Sequence, residues 1–223
     1  MARKLNRSSV NVVHLKTGSS KPALRRSSNP MDWLYDNPLG SFPDFTFGIL
    51  KQSYQGFPNT PSEFALHKLR PIGGKDHGTS MDPDTFTAYR YGCVLPDDAP
   101  DVLDEAVPLM KAFDLARCDH QPATLIYATL SFPDTRRLHH AWEESRAFAY
   151  ENLARKRQLP VLLIEHRPGD AGSNNPVHIH LLISARRMDG TGFRGFADDL
   201  ICDEGQRVLY DEWADFRSRW ATR

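Results

Sequence analysis

Apolar and polar positions alternate most clearly in the second half of the chain. Residues 123–132, ATLIYATLSF, form a nearly unbroken apolar, β-rich run that predicts a buried strand. Asp134, after Pro133, is placed as a helix N-cap. From there to about Gln158, Leu138, Ala141, Trp142, Ser145, Phe148, Ala149 and Leu153 recur on one helical face, with charges opposite. PVLLIEH (160–166) predicts a second strand, RPGDAGSNNP (167–176) a turn and VHIHLLIS (177–184) a third strand. Strands joined by so short a connection pair as an antiparallel hairpin. A last helix is expected over roughly 206–221, on the stripe Leu209, Trp213, Phe216 and Trp220.

The first half is less periodic. Residues 31–62 are dense in Pro, Gly, Asn and Phe and predict irregular structure packing Trp33, Phe42, Phe45 and Phe47, with a short strand near Phe45–Leu50. EFALHKLRP (63–71) is expected as a strand ending at Pro71, and 72–83 as a loop. TFTAYRYGCVL (85–95) starts with a β-favouring pattern but also suits a short helix. Residues 99–117 have helical spacing at Val102, Leu103, Ala106, Val107, Met110 and Phe113, with Pro108 expected to break the run. The order strand, helix, strand, hairpin strand indicates an α+β fold, a central mostly antiparallel sheet with helices packed on it.

Composition narrows the class. The chain has 223 residues, enough for one domain with a sizeable core. There is no apolar run long enough to span a bilayer and no signal-peptide core, so a cytoplasmic protein with no membrane partner is expected. Cys93, Cys118 and Cys202 lack the spacing of a zinc site. Net charge is zero, yet residues 1–30 carry Arg3, Lys4, Arg7, Lys16, Lys21, Arg25 and Arg26 and no acid. That composition predicts a disordered basic arm, suited to a polyanion such as DNA, ahead of the segment 31–62 and a domain over 63–223.

The candidate chemistry lies in three histidines. His178 and His180, two apart on a strand, point to one face, and a hairpin brings His166 alongside. Three neutral imidazoles on a rigid sheet make a divalent-metal site; Mg, Mn and Zn are not distinguished by the spacing. Histidine-triad nucleotide hydrolases need a third alternating His where this chain has Leu182, and two-histidine phosphoesterases need a Ser or Thr two residues after His, which neither position supplies. His139 and His140 are expected to face solvent. Glu165 neighbours His166, but adjacent strand residues face opposite sides.

Residues 159–190 resemble the MobA/MobL relaxases of mobilisable plasmids, of the HUH endonuclease superfamily. The resemblance rests on His166 ending a strand, the turn with Gly169 and Gly172, Asn175-Pro176, His178 and His180, then Arg186-Arg187 and Asp189-Gly190. Val177 between the Pro and the first His is a departure. The resemblance covers about residues 120–223, including a final helix with Trp213 and Trp220, and implies an HUH relaxase- or replication-initiator-like fold. It also implies a tyrosine that attacks a phosphodiester of single-stranded or hairpin DNA to give a 5′-phosphotyrosyl link, assisted by the metal, in plasmid mobilisation or replication alongside accessory mobilisation proteins. Tyr89, in Ala-Tyr-Arg, is the candidate nucleophile and Tyr91 the alternative, with Tyr54 a distant third. Lys75, Arg90, Arg186, Arg187 and Arg194 are candidate phosphate contacts. Two rival readings are a degenerate HUH domain that binds DNA without cutting, and an unrelated three-histidine metal hydrolase.

Overall fold

The computed structural model describes residues 26–35, 42–72, 78–119 and 121–221. Its centre is a six-stranded antiparallel sheet, in the order β1 (Leu34–Tyr35), β2 (Phe45–Leu50), β6 (Leu125–Phe132), β8 (Val177–Ser184), β7 (Val161–His166) and β5 (Arg90–Val94). Two small hairpins stand outside it, β3 (Ser53–Tyr54) with β4 (Phe57–Pro58) and β9 (Arg186–Asp189) with β10 (Gly192–Phe196). Helices cover both faces, which is why β6, β7 and β8 read as continuous apolar runs: every second side chain meets a different helical layer. One layer packs Phe64, Ala65 and Leu69 of α1 (Pro61–Leu69) and Leu109, Met110 and Phe113 of α2 (Ala106–Leu115) against Tyr127, Leu162, Ile164 and Leu182. The other packs Trp142 and Phe148 of α3 (Leu138–Phe148) and Leu209, Trp213 and Phe216 of α4 (Gly205–Trp220) against Ile126, Leu163, Leu181 and Ile183. The fold is α+β, as the pattern predicts.

Several local expectations change. Residues 63–71 lie in α1, not in a strand. Pro61 starts the helix, where a missing N–H costs nothing, and the Thr60 hydroxyl accepts from the Glu63 N–H at 3.2 Å. The expected run over 99–117 does divide into two shorter helices, a 3-10 turn at Asp101–Leu103 and α2, but the break precedes Pro108, which sits at the third position of α2, among the N–H groups that have no intrahelical partner. Asp134 does not cap α3, which begins at Leu138 after a turn held by Thr135 donating to the Arg137 carbonyl. The long helix passes into a π-helical stretch at Ala149–Arg155 and ends where Gln158 turns left-handed at φ 57°. Residues 85–95 supply β5, the sheet edge beside β7. The short strand expected near Phe45–Leu50 is β2, which pairs with β6 and with β1. Of the arm expected over 1–30, residues 1–25 lie outside the described residues, while Arg26 stacks on Trp33 and pairs with Glu63. No helix among those described is long and apolar enough to cross a membrane.

Candidate metal centre

The β7–β8 register sets His166 opposite His178 and Ile164 opposite His180. Strand alternation then puts all three imidazoles on the α1–α2 side of the sheet. Their ring centroids are 4.4–5.2 Å apart, and one nitrogen from each lies within 4.8 Å of the others. His180 is 4 % exposed, whereas His166 and His178 are half-buried at the mouth of a cleft of about 420 Å³.

The outward-turned nitrogens are defined by what holds the other side of each ring. His166 Nε2–H donates to the Lys68 carbonyl at 2.5 Å, and His178 Nδ1–H donates to the Pro176 carbonyl at 2.9 Å. Carbonyls only accept, so His166 Nδ1 and His178 Nε2 are left with lone pairs. The Lys68 carbonyl is one of the last four in α1, which have no N–H ahead of them in the helix. His180 Nδ1 meets the hydroxyls of Tyr127 at 2.8 Å and Thr129 at 2.9 Å, and Thr129 donates to Tyr127 at 2.7 Å. Its Nε2 faces His166 Nδ1 at 3.1 Å, a contact that one proton satisfies. An ion would replace that proton, and Nδ1–H would then donate to the hydroxyl pair instead. This arrangement, each ligand ring oriented by a partner behind it, is what histidine metal sites use. The residues present fit a divalent ion.

Electrostatics act in the same direction. Burial lowers the pKa of His166 to about 4 and of His178 below its ordinary value, and holds His180 well below it. All three are therefore neutral at physiological pH, the form in which imidazole could hold a metal ion. Burial also lowers Lys68, on the same cleft, to about 8.

The tyrosines differ in setting. Tyr89 is 55 % exposed and lines, with His166 and Arg167, a neighbouring cleft of about 250 Å³. The Arg167 guanidinium lies 3.1 Å above the Tyr89 ring centroid and is held by buried Glu165 at 2.6 Å. The Tyr89 N–H donates to the Glu165 carbonyl, and the preceding Ala88 N–H to Leu69. Tyr91 pairs with Ile164 and packs edge-on against Phe86. Tyr54 is in β3, away from both clefts.

The candidate phosphate contacts have partners within the chain. Arg90, opposite Glu165 in the register, stacks on Trp142 on the α3 side of the sheet. Arg186 donates to the carbonyls of Ala116, Phe193 and Arg194, Arg187 to that of Arg157, and Arg194 pairs with Asp189. Lys75 lies outside the described residues. His139 and His140 are exposed on α3. Sequence reasoning missed Tyr127, Thr129 and Lys68. The first two were legible as polar groups in an apolar strand; the third was hidden by reading α1 as a strand.

No family model and no curated protein matches the chain. Among solved structures it is similar to one described as the molecular basis of vancomycin resistance transfer in Staphylococcus aureus. The TM-score is 0.50 at 19 % identity, over 62 % of this chain and 72 % of that one. At that identity the likeness concerns the fold: the chain shares an α+β architecture with a protein of resistance transfer and carries on it three histidines that could hold a metal ion.

Proposed function

We propose that the chain is a metal-dependent, relaxase-like nickase of single-stranded DNA. The observation that carries this reading is the three converging imidazole nitrogens, each with its ring held from behind. A divalent ion held there would polarise a phosphate oxygen and offset charge in the transition state. An all-imidazole donor set favours a borderline ion such as Zn²⁺ over Mg²⁺, which prefers oxygen ligands, with Mn²⁺ between the two. The likeness to a resistance-transfer structure is in keeping with plasmid mobilisation or replication.

Tyr89 is the proposed nucleophile. It is exposed, shares a cleft with His166, and lies under the Arg167 guanidinium. Its phenol oxygen bonds to phosphorus, the bond from phosphorus to the 3′ oxygen breaks, and that oxygen leaves as a 3′-hydroxyl with a proton. Contacts from Arg90, Arg186, Arg187 and Arg194 would require these side chains to leave partners they already hold. The polar groups of the histidine cleft are therefore the proposed meeting points for the strand, while Arg167 stays paired with Glu165 over the Tyr89 ring.

The test is a covalent adduct on a denaturing gel, using a pool of 3′-labelled single-stranded oligonucleotides and Mn²⁺. Wild type and Tyr91→Phe are expected to form it, and Tyr89→Phe to lose at least about a hundredfold. Adduct surviving both substitutions overturns the choice of nucleophile. One observation favours a second reading, a DNA-binding module that does not cut: Tyr89 and the full histidine set open into two clefts that share only His166. DNA binding without any adduct would support it.

A further inference from the structure

The Lys68 ammonium is a buried cation to which the proposed nicking reaction gives no role. The residue is 7 % exposed, and its nitrogen lies 3.4 Å from the Met31 sulfur, a weak acceptor, and 4.9 Å from the Tyr127 ring. A buried ammonium normally has a carboxylate beside it. Glu63, the acid on the same helix, is taken by Arg26 at 2.7 Å. Among the described residues, no Asp or Glu lines the cleft that Lys68 shares with the three histidines. Neutral imidazoles leave the charge of a bound divalent ion uncompensated as well. With a divalent ion bound, the cleft would combine two centres of positive charge with no acid among its described lining residues, and it offers Thr46, Ser131 and Asn175 as neutral hydrogen-bonding groups.

We propose that Lys68 and the histidine centre form one anion site that takes a phosphate oxyanion. The ammonium meets one phosphate oxygen while the histidine centre receives another. A tetrahedral phosphate suits this better than a planar carboxylate, because its oxygens reach groups in different directions. The proposal rests on the reading of the histidines as metal ligands, and not on the choice of nucleophile or on nicking.

The test uses the full chain loaded with Mn²⁺. Inorganic phosphate and a dinucleotide with one phosphodiester are titrated in turn, and line broadening of the ³¹P resonance by the bound ion reports binding. Both are expected to bind wild type. Lys68→Met keeps the aliphatic stem and removes the charge; it should weaken both by about tenfold or more, with metal content and thermal unfolding unchanged. Tighter binding of the dinucleotide assigns the site to nucleic acid, and tighter binding of phosphate to the free ion. Unchanged binding by folded, metal-loaded Lys68→Met overturns the proposal, as does wild type that broadens neither resonance at millimolar ligand. If Lys68→Met does not fold, Lys68→Gln decides on the same terms. Lys68-dependent phosphate binding in a protein that forms no DNA adduct would retain this site and remove the nicking reading. An adduct formed equally well by Lys68→Met would do the reverse.

Discussion

Tyr127 and Thr129 bear on His180 because a hydroxyl both donates and accepts. With His166 Nδ1 as acceptor, His180 Nε2–H donates to His166 and Tyr127 donates to His180 Nδ1. With an ion on Nε2, the ring needs an acceptor at Nδ1, and the same hydroxyls supply it. Tyr127 is 1 % exposed, and burial raises its phenol pKa, so it stays protonated and serves as a hinge for the tautomer rather than as a nucleophile. Removing both hydroxyls with Tyr127→Phe and Thr129→Val should therefore weaken metal affinity by about 10–100-fold while the fold persists. Competition with a chelator of known affinity measures this. Unchanged affinity in the double variant would mean that these hydroxyls do not orient the ligand.

Elements place these residues through register and caps. A one-residue slip of β8 on β7 would turn His178 and His180 to the α3–α4 side, so the apolar positions Ile179, Leu181 and Ile183 hold the histidine cluster in place by staying in the opposite core. α1 matters through its C-terminal end, where the Lys68 carbonyl takes the His166 N–H. α4 depends on a close approach at its start. A Cβ on Gly205 would lie 2.2 Å from the Leu200 carbonyl oxygen, a backbone atom that cannot rotate away. Gly205→Ala should cost about 1–3 kcal/mol. Thermal unfolding would then fall by about 2–4 °C per kcal/mol. The loss reflects a strained entry to α4 and should leave metal affinity unchanged. A variant with wild-type Tm would show that the Leu200 turn yields freely.

At the scale of the whole molecule, the site couples a hairpin, a central strand and a helix from the other end of the sequence. An ion that binds this assembled set and not the unfolded chain must stabilise the fold, by about 2.7 kcal/mol at a hundred times its dissociation constant. Added Zn²⁺ or Mn²⁺ should raise the unfolding temperature, a chelator should reverse the rise, and His178→Ala should abolish it. A rise that persists in His178→Ala would locate the ion elsewhere. The sequence by itself determined the strands of the second half, the hairpin and the shared face of His166, His178 and His180, because strand period and a short connection are local properties. It misread residues 63–71, although Glu63, Ala65, Leu66, Lys68 and Leu69 are good helix formers and Thr60 and Pro61 mark a helix start. Only the tertiary structure decided which groups stand behind and beside the histidines. Lys68 and His166 are 98 residues apart, and Tyr127 and His180 are 53 apart. Contacts at such separations are set by how the layers pack, and no periodicity along the chain encodes them.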